Sequence, residues 1–253
     1  MEKILITIPT YNESESIKVL LKKIYDLIPN LGSEVFVRVV DDASPDGTSE
    51  VVKELNYDFV SVYDRKMKNG LGAAYLDTFK KMLESNEGFT YVITMDADGS
   101  HRVEDLVKIL NMIKERGSDL IIGSRYTKGG DCENWPLKRK LLSRAGSIYA
   151  HLAIKLPYKD CTGGFRAYKV SNLRKINLDN IDSKGYAFQL EMGLASFTAS
   201  KNYTEVPILF VERVHGYSKM SGNIVSEALV NLTKIGLRMR KDRGYLRNQY
   251  LNR

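Results

Sequence analysis

The chain is short of the residues that would make several large classes of protein. Two cysteines, Cys132 and Cys161, in 253 residues cannot form a disulfide framework, and their spacing is not that of a zinc site. A reduced, cytoplasmic compartment is expected. No apolar run approaches the roughly 20 residues needed to span a bilayer; the longest, such as Ile4 to Ile8 and Val206 to Val211, have strand length. Met1-Glu2-Lys3 leads straight into such a run, so no signal peptide is expected. Between the first strand and helix there is no glycine fingerprint, only Pro9-Thr10-Tyr11-Asn12-Glu13, which disfavours a dinucleotide-binding Rossmann enzyme. There is no phosphate-loop pattern, internal repeat, low-complexity tract or Pro/Ser linker either. Aromatics interleaved with basic residues are also missing, which leaves a non-enzymatic polyanion- or nucleic-acid-binding protein, on the net charge of +7, as a distant alternative.

What remains is the composition of one soluble α/β protein: 43% hydrophobic, 27% charged, mean hydropathy −0.28. Charge is placed unevenly. Between Lys234 and Arg253 seven basic residues face one acid, Asp242, which accounts for nearly the whole excess. Such a block suits phospholipid headgroups or nucleic acid, and equally a solvated helix end.

Strand and helix patterns alternate through the first half. Strands are expected at Ile4–Ile8, Val35–Val40, Phe59–Tyr63, Tyr91–Met95 and Leu120–Ile122. Between them, Ile17, Leu20, Leu21, Ile24 and Leu27, and later Leu106, Val107, Leu110 and Ile113, recur at helical spacing. This order predicts a mostly parallel sheet with helices on both faces, and ligands then sit beyond the carboxyl ends of the strands. Thr10-Tyr11-Asn12, Asp41-Asp42, Asp96-Ala97-Asp98 and Gly123-Ser124-Arg125 each follow a strand directly, so they are expected along one edge. Further on come a basic helix containing Lys138, Arg139, Lys140 and Arg144, the turn Thr162-Gly163-Gly164, a helix over about 185–198, a strand from Glu205 to Phe210 and a last helix from near Ser221.

Several of these clusters can carry chemistry. If the chain stays extended, Asp96 and Asp98 point to one side, where two carboxylates repel unless a cation intervenes. A hard divalent ion that also binds phosphates fits; a solvated loop with Ser100 capping the next helix is the simpler alternative. Asp41 and Asp42 point oppositely, so one faces a ligand while the other braces the turn Ser44-Pro45-Asp46-Gly47. Asn69-Gly70-Leu71-Gly72 opens a helix with small residues, suited to an anion or to close packing on the sheet.

In this order, Pro9-Thr10-Tyr11-Asn12-Glu13, Asp41 to Thr48, Asn69 to Gly72 and Asp96-Ala97-Asp98 resemble the family 2 glycosyltransferases of the GT-A fold. Gly123-Ser124-Arg125-Tyr126, Thr162 to Tyr168, Gly185 to Glu191 and Arg213 to Met220 narrow the resemblance to the dolichol-phosphate (polyprenyl-phosphate) mannose synthases. It covers about residues 4 to 220 and departs after His101, where Arg102-Val103 stands in place of the usual proline. The resemblance implies a GT-A catalytic domain over 1–220, its nucleotide-sugar half at about 1–98 and its acceptor half at 99–220. It leaves residues 221–253 unaccounted for; this basic helical tail, with Ile224, Leu229, Leu232, Ile235 and Leu237 as apolar contacts, either packs on the catalytic domain, lies in a membrane interface or binds a small membrane subunit.

The implied reaction moves mannose with inversion from GDP-mannose to a dolichyl or polyprenyl monophosphate, the alternative donor being a UDP-sugar such as UDP-glucose. Pro9, Tyr11, Glu13, Asp41, Asp42, Gly70 and Asp96 would bind the nucleotide. Asp96, Asp98 and Ser100 would hold Mg2+ or Mn2+. Arg125, Arg139, Arg144, Ser218 and Lys219 would bind the acceptor phosphate, with Asp98, Arg125, Arg213 and Lys219 serving catalysis. Gln189 and Glu191 are possible sugar contacts, and Glu191 is alternatively a buried structural acid. His101 and His215 are read as structural or hydrogen-bonding residues, because a phosphate acceptor is largely ionised near neutral pH, its second pKa being about 6. A lipid acceptor without a spanning segment implies peripheral attachment on the cytoplasmic face of a membrane, directly or through a small membrane subunit.

Overall fold

A computed structural model describes residues 2–183, 185–212, 222–242 and 244–252. Arg213, His215, Ser218 and Lys219, and most of the glycine- and serine-rich stretch 216–222, lie outside the described residues.

The expected alternation is present. β1 (Lys3–Thr10), α1 (Ser14–Leu27), β2 (Glu34–Asp41), α2 (Thr48–Glu54), β3 (Val60–Asp64), α3 (Leu71–Ser85), β4 (Tyr91–Thr94), α4 (Val103–Arg116) and β5 (Leu120–Ser124) follow in order. Then come β6 (Asp131–Cys132), α5 (Leu137–Ile154), β7 (Arg166–Lys169), α6 (Val170–Leu173), α7 (Gly185–Ala199), β8 (Tyr203–Pro207), β9 (Leu209–Phe210), α8 (Gly222–Lys241) and α9 (Tyr245–Tyr250). Among the described residues the main sheet has seven strands in the order β3-β2-β1-β4-β7-β5-β8, all parallel except β7.

Two elements differ from the expectation. The four residues of β7 are too short a run for a period-two pattern to mark, yet they insert antiparallel between β4 and β5. The run Glu205–Phe210 is broken rather than continuous. Proline has no N–H to continue a ladder, and β8 ends at Pro207 opposite Ser124. Leu209 instead gives its N–H to the Asp105 carboxylate at 2.9 Å, and β9 pairs with β6 in a separate two-stranded sheet.

Period-two alternation along β1 divides the core. Ile4, Ile6 and Ile8 meet Ile17, Leu20, Leu21 and Ile24 of α1 and Leu106, Ile109 and Leu110 of α4. Leu5 faces the other way, into a core built from Tyr75 and Phe79 of α3, Ile154 of α5, Phe188 and Met192 of α7 and Leu232 and Ile235 of α8. α8 and α9, read from the sequence as an appended tail, belong to this second core. Gly236 lets α8 approach α5 so closely that a Cβ there would collide with the Ala153 carbonyl oxygen. Tyr250 is fully buried, donates to Glu191 at 2.9 Å, and accepts the Asn177 N–H at 2.8 Å through its carbonyl.

Candidate active site

The register brings the polar strand ends together. Thr10 pairs with Asp41 across β1 and β2, and Asp41 with Asp64 across β2 and β3. Asp41 accepts from the Thr10 hydroxyl at 2.8 Å, from the Ser44 hydroxyl at 2.6 Å and from the Ser44 N–H at 2.8 Å. Its carboxylate therefore braces the turn. Asp42 instead pairs with the guanidinium of buried Arg65 and accepts the Gly70 N–H at 3.3 Å. Arg65 reaches Asp77 as well, at 2.9 Å, which locks the second strand end to the entry of α3. Nearby, Lys68 stands 3.6 Å above the Tyr11 ring, and Glu13 accepts the Ser16 hydroxyl at 2.8 Å. Pro9, the penultimate residue of β1, completes this edge.

Asp96 and Asp98 follow β4, but the strand ends at Thr94 and residues 97–99 bend. Their shared neighbourhood therefore comes from a tight turn, not from extended backbone. Asp98 is buried and accepts the Ser100 N–H at 3.0 Å, while Asp96 is partly exposed and lines a cavity. Both charges act on one hydroxyl: burial first, then Asp96, the neighbouring Tyr168 and Asp98, push the Tyr75 phenol well above its usual range. His101 accepts the Asp96 backbone N–H through Nδ1 at 3.0 Å and stacks on Phe165, the hydrogen-bonding role expected of it.

The polar atoms around these acids suit an oxygen-liganded cation and a polyhydroxyl group. The Ser100 hydroxyl, the Tyr75 hydroxyl and both amide atoms of Gln189 are buried with no hydrogen-bond partner among the described residues. A Cβ on Gly164 would sit 3.3 Å from the Gln189 amide nitrogen and 3.8 Å from an Asp96 oxygen, so the missing side chain leaves a cradle between them. Two carboxylates and a hydroxyl are hard donors that fit Mg2+ or Mn2+ while leaving coordination sites for water or phosphate oxygens. Among the described residues no three His, Cys, Asp or Glu side chains cluster as a complete metal cage.

Arg125 follows β5 and is almost fully buried. Its Nε and Nη2 each donate to Asp160 at 2.7 Å, its backbone N–H donates to the same carboxylate at 3.0 Å, and Nη2 also reaches Thr162 at 2.8 Å. The Gly163 N–H adds a further bond to Asp160 at 3.0 Å. Burial alone would push the Asp160 carboxyl up; the Arg125 charge and these bonds overturn that and hold it below the usual carboxylate range. The cation of Arg125 is thus already balanced, and its guanidinium acts as part of a rigid wall. Asp160 escaped sequence reasoning, although a lone acid beside Thr162-Gly163-Gly164 was a usable signal. Arg166, wholly buried, fixes the same turn by donating to the carbonyls of Gly163, Cys161 and Gln189 at 2.9, 2.7 and 2.6 Å.

Arg139 and Arg144 are not brought together. Arg139 lines the Asp96 cavity, 4.0 Å above the Trp135 ring and paired with Glu212 at 2.7 Å. Arg144 is exposed and lines a second, smaller cavity of about 300 Å3 that Arg125 also borders. Gln189 and Glu191 also part company. Gln189 faces the Gly164 cradle, whereas Glu191 receives the Ser183 N–H at 2.8 Å and the Tyr250 hydroxyl at 2.9 Å, the bonding of a buried structural acid.

The main cavity measures about 500 Å3. Asp96, His101, Arg125 and Arg139 line it together with Leu142 of α5, Leu190 of α7 and Leu229 and Leu232 of α8. On its outer side α5 carries Leu137, Leu141, Ile148 and Leu152, each more than half exposed, among Lys138, Lys140 and Arg144. Among the described residues no helix is long and apolar enough to cross a membrane.

Comparison with known proteins adds relatives to this geometry. The family model described as Glycosyl transferase family 2 matches residues 5–176. The undecaprenyl-phosphate mannosyltransferase of Micrococcus luteus is 46% identical over 240 residues, covering 94% of this chain and 96% of that protein. The polyprenol monophosphomannose synthase of Mycolicibacterium smegmatis is 41% identical over 245 residues, covering 96% and 90%. Glucosyl-3-phosphoglycerate synthase from Mycobacterium tuberculosis, solved with Mn2+, UDP and phosphoglyceric acid, superposes with a TM-score of 0.65 at 16% identity, covering 94% of this chain and 78% of that one. At that identity the likeness shows a shared GT-A fold.

Proposed function

The chain belongs to the family 2 glycosyltransferases, and from that premise we propose that it transfers mannose from GDP-mannose to a polyprenyl monophosphate with inversion at the anomeric carbon. One observation carries this reading: a single cavity is lined by Asp96, two arginines and four leucines, the mixed chemistry that an anionic headgroup with an apolar tail requires. The relatives that match over nearly the whole chain act on undecaprenyl phosphate or a polyprenol phosphate by name.

In this reading the nucleotide lies along the strand ends carrying Pro9, Tyr11, Glu13, Asp41, Asp42 and Gly70. Asp96, Asp98 and Ser100 would hold Mg2+ or Mn2+, which when bound would offset the charge gathering on the departing diphosphate. An acceptor phosphate oxygen forms the new bond to the anomeric carbon while the bond to the diphosphate breaks and its electron pair leaves with GDP. The acceptor is already ionised, so no side chain needs to remove a proton, in keeping with a His101 engaged by the backbone. Arg139 orients the acceptor phosphate, the Arg125–Asp160 pair holds the wall behind it, and Gln189 offers its amide to the sugar hydroxyls. Arg213, Ser218 and Lys219 join this set on sequence grounds alone.

The lipid reaches the cavity from a bilayer against which α5 docks on the cytoplasmic face. Its exposed leucines enter the headgroup region, and Lys138, Lys140 and Arg144 face anionic lipid. The exposed Lys234, Arg238, Arg240 and Lys241 of α8 add positive charge to this interface, while Tyr250 ties α9 into the core.

The deciding experiment is a donor screen with a short-chain polyprenyl phosphate and Mn2+, with a chelator control and Asp98→Asn. Transfer from GDP-mannose that fails with chelator and in the variant is expected. Transfer from UDP-glucose in its place would overturn the donor assignment.

A further inference from the structure

Of the two arginines that line the cavity among the described residues, each already holds a carboxylate, and the two pairs are built differently. Asp160 is wholly buried and takes four hydrogen bonds, from the Arg125 guanidinium and N–H and from Gly163. It has no route out. Glu212 is one-third exposed, and the hydrogen bonds it takes among the described residues come from a single atom, Arg139 Nη1, at 2.7 Å to each oxygen. Arg139 lines the cavity while Glu212 grips it from outside that lining. The Arg139 guanidinium also lies 4.0 Å above the Trp135 ring, a contact that keeps it in position whether or not Glu212 remains.

From this contrast we infer that Glu212 is an exchangeable counter-ion, a carboxylate stand-in that leaves Arg139 when the acceptor phosphate arrives and returns when the product departs. The inference rests on the acceptor reading above. Its chemistry follows from charge. A phosphate monoester near neutral pH carries close to two negative charges and three acceptor oxygens, so it competes well against one carboxylate for a guanidinium. Transfer of a sugar turns the monoester into a diester with one charge. The carboxylate then competes on nearly equal terms, and its return assists release. While the cavity is empty, the same contact keeps the partly buried Arg139 from standing unpaired. Glu212 is thus a positioning residue that acts through Arg139, not a group that touches the reacting atoms.

The test is Glu212→Gln, with Glu212→Ala as a second variant and a melting curve for each. Binding of a short-chain polyprenyl phosphate is measured directly by calorimetry, together with KM for acceptor and donor and inhibition by the polyprenyl-phosphate mannose product. A partly exposed ion pair weighs on the competition by about two- to sixfold, so KM for the acceptor and the inhibition constant of the product should both fall by that factor. KM for GDP-mannose should stay unchanged, a split that a merely structural role would not produce. If the wild type binds the acceptor and both folded variants bind it no more tightly, Glu212 is not a competitor and the inference fails. If neither wild type nor variant binds a polyprenyl phosphate, the acceptor reading itself fails, and the inference with it.

Discussion

The buried Arg125–Asp160 pair allows a quantitative test through Asp160→Asn. An asparagine has the shape of the aspartate but keeps one acceptor oxygen. In the native pair one carboxylate oxygen receives Arg125 Nη2 and the Gly163 N–H, and the other receives Arg125 Nε and its backbone N–H. Whichever way the amide turns, its NH2 group faces two N–H donors, and the Arg125 charge loses its counter-ion at a site almost closed to water. Removing one partner of a buried pair costs about 3–5 kcal/mol. For a chain of this size that corresponds to a fall in Tm of roughly 6–20 °C. Chemical denaturation and a thermal scan would check it.

The pH dependence has a definite sign. Asp160 sits below its unfolded pKa in the native state, so its contribution is fully present above the ordinary carboxylate range and is lost as pH falls through the folded value. The wild type should therefore lose stability more steeply on acidification than the asparagine variant. A companion pair, Arg125→Met with Asp160→Leu, should be less destabilised than the sum of its single changes by more than about 1 kcal/mol. A loss below about 1 kcal/mol in Asp160→Asn, with an unchanged acid limb, would refute the reasoning.

Other expectations follow from the same geometry. Gly164→Ala places a Cβ 3.3 Å from the Gln189 amide and 3.8 Å from Asp96, so transfer should fall at least tenfold, about 1.4 kcal/mol, with Tm nearly unchanged; full activity would show that the cradle is not a sugar or metal site. Leu141→Glu with Ile148→Glu on α5 should abolish flotation with anionic liposomes while leaving transfer to a detergent-dispersed acceptor intact. Persistent flotation would remove α5 as the docking face, and wild type that floats only with added membrane protein would favour a membrane subunit. Tyr250→Phe leaves a buried Glu191 oxygen without its hydroxyl donor and should cost about 1–3 kcal/mol in denaturant, with KM values unchanged; altered sugar binding would restore Glu191 to the site.

The strand ends were legible because period-two runs and parallel pairing need only local pattern and one register, and that register delivers Thr10, Asp41 and Asp64 side by side. The acid pair was legible as a pair, although extended geometry was the wrong reason for its closeness: residues 97–99 bend, and Asp98 turns to hold Ser100. What stayed hidden is set by contacts far apart in the chain. Asp160 lies 35 residues from Arg125, Glu212 lies 73 from Arg139, and Tyr250 lies 59 from Glu191. No local pattern says which acid a given arginine will find. The sequence left open whether the last helix packs on the catalytic domain or lies at a membrane; Leu232 and Ile235, with Tyr250 beyond them, carry it into the core.

The single antiparallel strand has a consequence for the spacing of the cavity lining. β7 is bonded to β4, which ends before Asp96, and to β5, which ends before Arg125. Strands lie about 4.8 Å apart, so two backbone ladders hold the strands that deliver these residues about 10 Å from one another. The partly exposed acid and the buried arginine wall thus stand on one frame, whose width is written into main-chain hydrogen bonds instead of side-chain contacts.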